Sequence, residues 1–534
     1  MEEQKSEYVF NSTLRALQVV LIRMADRKPL SMEWALNAVY SYLAELPMPD
    51  YLIKGYDHKQ RRLLEQEEQV LSLLIHYITV GLFYAPIVEN ITKKDLEKPK
   101  SDLFRDEGVN RRNIMTCFLL QLLGKPLALL DIGLYEKPQE GDDNLVQDAI
   151  CNTYTAQCAR QLTASITNCL VDPFYLLNFA EERARWSRRV DPKKEVYEQS
   201  SRNVFLHEER LPLYAVAIYF YMVFVENVAS EYAVPKVYAN NFVFEAGLCL
   251  ATALLEQQEP ALQYRGLLMP EKLLNLLENE RIATVSLELP MHKRFCHALC
   301  KVVGYSGQTQ LRQMGVMLLK RYILAFDDDG KYLVLNNLMR NINHTGINGY
   351  LTTVYKDLIA DAIQANTNTA SLPSSFSGEH FRSLFLQRIC RLPQGTETDL
   401  LQHSDRLISC LNALRYFALT DIDNRTGFWD LIPDLESEFL SPLREGLSIS
   451  IAHYKAQLLL VETGQDDDEL YEDALAMLDI TIQNATSESD DKKEMDRQQK
   501  LLILNQSLCT LELMQSLLVR ATELVDNSSK LQEN

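Results

Sequence analysis

The chain has 534 residues, a net charge of −19 and a sequence pI near 5.1. Hydrophobic residues make up 47% and charged residues 24%, which is ordinary for a chain that buries a core. A duplex nucleic-acid binder needs a large cationic face to displace counterions, and the acidic balance argues against that class of function. Only 19 glycines and 18 prolines occur, and so few breakers favour long helices over a strand-rich fold.

Apolar residues recur at helical spacing from the first residues onward. One predicted helix face carries Leu14, Leu17, Leu21 and Met24. The next helix is predicted to bury Trp34, Ala35, Ala38, Val39 and Leu43. Further helices are predicted over residues 61–83, 110–134, 146–170, 173–189, 211–228, 243–256, 270–277, 291–303, 308–326, 331–342, 349–364, 379–391, 399–419, 437–460, 469–483 and 497–526. No sustained apolar–polar alternation predicts a strand.

Many helices joined by short loops are typical of helix pairs stacked in a row. We therefore predict an all-α, HEAT/armadillo-like helical-repeat solenoid with degenerate repeats, because no clean repeat of fixed length stands out. Three regions are predicted: an N-terminal helical-repeat region at 1–260, a middle one at 261–390, and an acidic helical region at 391–534. The last region holds 12 basic and 27 acidic residues, a field that would attract a basic protein surface.

The cellular compartment is predicted from the cysteines and the apolar segments. The 10 cysteines are scattered and form no disulfide framework, and residues 1–6 are too charged for a signal peptide. The most apolar stretch, 211–225, is bounded by Arg210 and Glu226 and is too short to span a bilayer comfortably. We expect a protein of the cytoplasm or nucleus with no membrane partner.

No motif predicts catalysis, a cofactor or a metal ion. His292, Cys296 and Cys300 fall on one helix face, and a metal site there is the alternative to buried structural thiols, which we favour. The segment from Asp327 to Gly330 resembles part of a calcium loop, but Asn336 stands where the ligating Glu belongs. We interpret that segment as a turn that ends a helix.

The most informative pattern lies in residues 392–456. Its segments are Leu392-Pro393-Gln394-Gly395, Asp399-Leu400-Leu401-Gln402-His403-Ser404-Asp405-Arg406, Thr426-Gly427-Phe428-Trp429 and Ala452-His453-Tyr454-Lys455. The pattern closely resembles the glomulin family. An earlier glomulin-like segment combines Gly330-Lys331-Tyr332 with Asn343-His344-Thr345-Gly346. The resemblance implies a HEAT-like fold, and it implies that the N-terminal region is shortened relative to the family.

The resemblance also implies a function. Glomulin binds the RING-box subunit of cullin-RING ubiquitin ligases through its C-terminal region and covers the surface that the ubiquitin-conjugating enzyme would use. The expected partner is therefore that subunit with its cullin, and the expected mechanism is steric inhibition without catalysis. The alternative is a helical scaffold that binds an immunophilin or a receptor tail without inhibiting a ligase. An enzyme using the His292 cluster is a third hypothesis.

The contact residues are predicted within the glomulin-like region. Asp399 is expected to cap a helix that starts at Leu400. That helix would bury an apolar stripe and turn Gln402, Asp405, Arg406, Ser409, Asn412 and Tyr416 towards a partner. The predicted contact residues are Glu397, Asp399, Gln402, Asp405, Arg406, Asn412, Arg415, Tyr416, Trp429, His453 and Tyr454. Packing between repeats is the alternative for Tyr416 and Trp429, and a core or loop role is the alternative for His453.

Overall fold

A computed structural model describes residues 2–24, 28–48, 67–95, 108–132, 153–170, 172–186, 203–228, 238–277, 280–365, 372–463 and 497–532. In these residues the regular elements are helices, and none is a β-strand, which confirms the all-α prediction. The predicted helix 469–483 lies outside the described residues.

The α-helices of the described residues divide between an N-terminal and a C-terminal set. The first set is α1 (Glu2–Arg23), α2 (Pro29–Ala44), α3 (Glu68–Asp95), α4 (Arg111–Leu123), α5 (Tyr154–Cys169), α6 (Tyr175–Trp186), α7 (Leu213–Phe224), α8 (Asn240–Leu255), α9 (Pro260–Leu274), α10 (Pro290–Tyr305) and α11 (Thr309–Leu324). The second set is α12 (Asp328–Asn341), α13 (Thr345–Ala365), α14 (Gly378–Leu384), α15 (Ser404–Thr420), α16 (Ile432–Leu435), α17 (Ser441–Thr463) and α18 (Arg497–Gln532). Short π-helical turns follow α14, at Phe385–Ile389, and α16, at Glu436–Leu440.

The chain forms two compact units, residues 1–325 and 326–534. Their boundary falls inside the predicted middle region 261–390 and coincides with neither predicted division. In the first unit α8 packs on α9, α10 packs on α11, and the two pairs stack with α8 on α10 and α9 on α11. This two-layer stacking of helix pairs is the arrangement of a helical-repeat solenoid, as the sequence predicts.

The second unit is built around α15. This helix contacts α13 on one side and α18 on another, and α17 packs against α18. Its core is aromatic: the Phe417 ring lies 5.3 Å from both Phe381 and Phe385, edge to face, and 6.0 Å from Phe428. Such aromatic contacts add to the burial of large apolar side chains, so this core fixes the position of α15.

Several helix starts follow from capping side chains. Asn110 Oδ1 accepts a hydrogen bond from the main-chain N–H of Asn113 (2.8 Å), and Asp327 Oδ1 accepts one from that of Gly330 (2.8 Å). The acidic segment at Asp327 therefore begins α12, and the prediction that it ends a helix is wrong. Asp at the N-cap satisfies an otherwise unpaired amide of the first turn, which explains the difference.

Two helices begin or end outside their predicted limits, and each contains a proline in its interior. α3 continues through Pro86 to Asp95, and α9 begins ten residues before Pro270. Proline inside a helix costs about 3 kcal/mol. Burial of Ile87 and Val88 just after Pro86 offsets that cost in α3.

The predicted buried face of α2 contains two errors, because Trp34 and Ala38 are both exposed. Met32, Leu36 and Leu43 are fully buried, whereas Trp34 is 76% exposed. Residues 32, 36 and 43 follow the four- and seven-residue spacing of one helix face, and residue 34 points away from it. Trp34 is therefore a surface residue of the first unit.

By length and apolar composition alone, two helices among the described residues could cross a bilayer, at 68–94 and 497–526. In the most apolar window of the first, 56% of the residues are buried inside the protein, and in that of the second 39% are. Core helices of other proteins meet the same criteria. The absence of a membrane partner stays a prediction.

Candidate protein-interaction site

The predicted contact residues separate by exposure. Those on the surface are Glu397, Gln402, Asp405, Asn412 and His453. Those half-buried are Asp399, Arg415, Tyr416 and Tyr454. Arg406 and Trp429 are buried, with 8% and 9% of their surface exposed. The separation follows from how the helices around α15 pack, described next.

The segment before α15 is a turn closed by the side chain of Asp399. Asp399 Oδ1 accepts a hydrogen bond from the main-chain N–H of Gln402 (3.0 Å), but this bond closes a turn, and the N-cap of α15 is His403, so the prediction that Asp399 caps the helix is wrong. The helix itself begins at Ser404, and the predicted start at Leu400 is wrong. Leu400 is 3% exposed and lies in the turn before the helix. Its side chain is close to Gly446 of α17, so it is buried against α17 and is not the first residue of α15.

This turn packs against α17, close to some of the predicted contact residues. A short 3-10 turn at Gly395–Glu397 packs on α17, where Gly446 lies close to the main-chain oxygen of Thr396. Burial, with a smaller contribution from the nearby Asp399 carboxylate, raises the pKa of Tyr454. The structure therefore places Asp399 near Tyr454, and Glu397 in a turn that packs on the same helix.

One side of α15 is covered by α13. A Cβ added at Gly349 of α13 would lie 2.9 Å from the main-chain oxygen of Asp405, so the two backbones touch. Further along, the Lys356 ammonium lies 5.1 Å from the centre of the Tyr416 ring. Tyr416 therefore takes part in packing between helices, in agreement with the alternative raised for it.

Arg406 does not lie on the solvent side of α15, and that part of the prediction is wrong. Its Nε and Nη2 atoms are buried and make no hydrogen bond. Loss of solvent lowers the pKa of the Arg406 guanidinium, an effect that the nearby Cys410 and Cys390 oppose. Residue 406 shares the buried side with 410 because four residues make one helical turn.

Trp429 is buried beneath the loop formed by residues 421–429 and donates a hydrogen bond to it. Its indole Nε1–H donates to the main-chain oxygen of Asp421 (2.7 Å). The Asp421 carboxylate is itself buried and accepts hydrogen bonds from the main-chain N–H groups of Arg425 (2.7 Å) and Thr426 (3.0 Å). Gly427 has φ +85°, a left-handed conformation that glycine adopts without strain. The Thr426–Trp429 motif is therefore a structural element of the aromatic core.

The exposed side of α17 and α18 forms a surface that the sequence analysis missed. The two helices run antiparallel, since Lys455 Nζ lies 3.2 Å from Glu512 Oε1 and Arg497 Nη2 donates to the main-chain oxygen of Glu462 (2.5 Å). The exposed residues that define this α17–α18 face are Leu459 of α17 and Leu502, Cys509 and Leu513 of α18. His453 of the predicted set is exposed on another side of α17.

The α17–α18 face is apolar and holds the ion pair between Lys455 and Glu512. Leu502 is 62% exposed and Leu513 is 51% exposed. The sequence signal was a second apolar stripe in α18, at 502, 509 and 513, beside the buried stripe. Of the 27 acidic residues in 391–534, 12 belong to residues 466–496, which hold only two basic residues and fall outside the described residues.

The comparisons with known proteins agree with this architecture. A family model described as "Uncharacterised protein family, YAP/Alf4/glomulin" matches residues 2–481. The chain belongs to the YAP/Alf4/glomulin family. Glomulin of Mus musculus is 25% identical over 522 residues, 97% of this chain and 78% of that protein. Glomulin of Homo sapiens is 25% identical over 538 residues, 99% of this chain and 80% of that protein.

This glomulin-family chain places its sequence motifs at helix contacts. Gly346 and Gly349 let α13 approach α15, and Thr426–Trp429 closes the aromatic core. The family match ends at residue 481, before α18, whereas the two glomulin alignments cover nearly the whole chain. The motifs therefore maintain the framework behind the α17–α18 face.

The histidine and cysteine cluster of α10 is also a packing feature of this glomulin-family chain. The His292 Nδ1 atom lies 2.7 Å from the Tyr322 hydroxyl oxygen. Burial lowers the pKa of His292 to about 4 and raises that of Cys296 to about 12, so both side chains are uncharged at neutral pH. Among the residues that the structure describes, no group of three or more His, Cys, Asp or Glu is placed to hold a metal ion.

Proposed function

We propose that this glomulin-family chain binds the RING-box subunit of cullin-RING ubiquitin ligases and blocks the ubiquitin-conjugating enzyme from docking there. Similarity to two glomulins over nearly the full chain supports the proposal. The observation that carries it on the structural side is the α17–α18 face, an apolar surface of the C-terminal unit whose charges at Lys455 and Glu512 are paired.

The size of the α17–α18 face suits a specific protein contact. α17 has 23 residues, and at about 1.5 Å per residue it is roughly 34 Å long. Two such helices side by side, each about 10 Å wide, present roughly 700 Å². A standard protein interface buries about 800 Å² on each partner. The face therefore covers most of the area that a stable complex requires.

The apolar side chains of the α17–α18 face can contribute most of the binding free energy. A few buried apolar or aromatic side chains contribute most of the binding free energy in a typical interface. Leu502 and Leu513 are exposed apolar side chains on a long helix, so burying them under a partner removes apolar surface from water. The paired Lys455 and Glu512 leave no unbalanced charge in the middle of the face.

Inhibition then follows from competition alone. If the RING surface under this chain is the surface that the ubiquitin-conjugating enzyme uses, one partner excludes the other, and no group on this chain performs chemistry. Such inhibition reaches completion when the chain equals the ligase in amount and exceeds the dissociation constant. The proposal places the chain in the cytoplasm or nucleus, where it meets its partner.

The test is a reconstituted cullin-RING ubiquitin-transfer reaction titrated with the full chain. Wild-type protein is expected to suppress ubiquitin-chain formation at stoichiometric amount. The double variant Leu502→Asp with Leu513→Asp is expected to lose inhibition, because two carboxylates would be buried without partners.

The matched control is Ile75→Asp with Leu82→Asp, which changes two exposed apolar residues of α3 in the other unit. It is expected to inhibit like the wild type. Full ligase activity in the presence of excess wild-type chain would contradict the proposal. Capture of an immunophilin but no RING-box subunit would support the scaffold alternative instead.

A further inference from the structure

Residues 289–325 of this acidic chain contain no acidic residue. The stretch holds six Lys and Arg residues, while the whole chain carries −19. It folds into α10 and α11, which pack on each other in the first unit. A concentrated positive region in an acidic protein is a distinct electrostatic feature of the surface.

The exposed side of α10 carries two lysines with a histidine between them. Lys293, His297 and Lys301 are exposed and follow one another at four-residue spacing. Tyr305 continues the row and is 73% exposed. Neither Lys293 nor Lys301 forms an ion pair with any residue that the structure describes. We call this row, Lys293 to Tyr305, the α10 basic face.

Nearby carboxylates do not neutralise the α10 basic face. Glu256, at the end of α8, lies 3.4 Å from Arg294 and is used by that residue, which borders the row. Glu288 is exposed and precedes α10. The two lysines of the row therefore remain available for a carboxylate from outside.

The other side of α10 fixes the geometry of this row. Phe295 and Leu299 are fully buried, and Met291 and Val302 are nearly so. α10 is held by α8 on one side and α11 on another. Four residues of an α-helix rise about 6 Å, so the lysine and histidine side chains leave a rigid base at that interval.

We propose that the α10 basic face binds an acidic helix of a partner protein, with carboxylates repeated every four residues. A helix laid along α10 presents its own side chains at the same interval of about 6 Å, so each cation meets one carboxylate. Tyr305 supplies an aromatic contact at the end of the row, as at protein interfaces. The net charge of −19 on the whole chain disfavours a long nucleic acid, whose phosphates would extend past the row.

The experiment compares two synthetic helical peptides with the full chain. The matched peptide carries Glu at positions i, i+4, i+8 and one apolar residue at i+12. Its isomer has the same composition with the Glu residues distributed around the helix. The matched peptide is expected to bind about tenfold more tightly than the isomer in physiological salt, because only it aligns all the pairs.

Charge reversal tests the residues. Lys293→Glu with Lys301→Glu is expected to weaken binding of the matched peptide by about tenfold or more, since it replaces attraction with repulsion. The control, Lys28→Glu with Lys94→Glu, alters the net charge equally at two exposed lysines elsewhere. It is expected to leave the affinity within about twofold, a change near the limit of such measurements.

Three results would overturn the proposal. Equal binding of the two peptides would show unspecific attraction without register. Equal weakening by both charge-reversal variants would show that net charge and not this face is responsible. Tighter binding of a single-stranded RNA of the same charge would assign the face to nucleic acid. None of these results depends on whether the chain inhibits a ubiquitin ligase.

Discussion

The helices α10 and α15 both carry polar and charged residues, but the two lysines of α10 are exposed, whereas such residues are partly buried in α15. In α10 one side is buried and the other meets water, so Lys293 and Lys301 are exposed as a simple helical pattern requires. In α15 the neighbours α13 and α18 and the aromatic core cover several sides. Only a narrow strip, with Asp405 and Asn412, reaches the surface.

The comparison of α10 with α15 shows in which helices a polar residue in the sequence predicts an exposed position in the structure. A helix covered on one side separates its apolar and polar residues, and the exposed side can be derived from the sequence. In a helix covered on several sides, some polar residues pack against other helices. Arg406 and Tyr416 of α15 are examples. Contact residues predicted on such a helix are partly structural.

The largest expected effect tests the aromatic support of α15. Phe417→Ala removes a ring that lies 5.3 Å from Phe381 and from Phe385. The loss of burial and the cavity left behind should lower the free energy of unfolding of the second unit by about 3–5 kcal/mol. Urea denaturation followed by circular dichroism and by tryptophan fluorescence measures it.

The control on the same helix is Leu419→Ala, which truncates a side chain that is 54% exposed. It should cost no more than about 0.5 kcal/mol, as surface substitutions usually do. Equal destabilisation by the two variants would show that α15 is not held by the aromatic core.

The buried side of α10 gives a pH dependence. Burial lowers the pKa of His292 to about 4 from 6.5, so the unfolded chain binds a proton more readily than the folded one. The stability due to neutral His292 is complete above pH 6.5 and is lost as the pH falls towards 4, by at most about 3 kcal/mol. Urea midpoints measured from pH 7 to pH 4.5 should fall less steeply for His292→Gln than for the wild type.

The exposed His297 of the same helix supplies the comparison. His297→Gln is the matched control, because it replaces an exposed imidazole of the same helix with the same side chain. If the two glutamine variants changed the slope equally, burial of His292 would not be its cause.

A smaller effect is expected where α13 touches α15. Gly349→Ala places a Cβ 2.9 Å from the main-chain oxygen of Asp405, so the helices must separate slightly. Overpacking of this kind costs about 1–3 kcal/mol. Gly307→Ala is the matched control, because no atom lies within 4 Å of its added Cβ. Thermal unfolding of both variants measures the difference, and equal melting temperatures would contradict close packing of α13 on α15.

The smallest effect is expected on the exposed strip of α15. Asn412→Ala changes an exposed side chain for which the structure shows no contact, so the free energy of unfolding should change by less than about 0.5 kcal/mol. Equilibrium denaturation measures this change. A loss above about 2 kcal/mol would place Asn412 among the buried packing residues with Arg406 and Trp429.

The sequence predicted the helices well because their apolar periodicity reports burial directly. The helix-rich chain was identified as an all-α repeat fold, whereas the predicted cap Asp399 closes a turn before α15. The burial of Trp429 could not be derived, because it depends on a hydrogen bond to the main chain of Asp421 and on Phe428, whose ring the fold packs on Phe385 and Phe417. The α17–α18 face was missed because helix pairing decides which of two apolar stripes in α18 is covered.

The most direct test of the central claim is a competition experiment with the RING-box subunit in complex with its cullin. A labelled ubiquitin-conjugating enzyme is bound to the complex, and the full chain is added. The account predicts that the chain displaces the labelled enzyme completely, and that the Leu502→Asp, Leu513→Asp variant does not. A ternary complex in which the chain and the conjugating enzyme are bound together would contradict it.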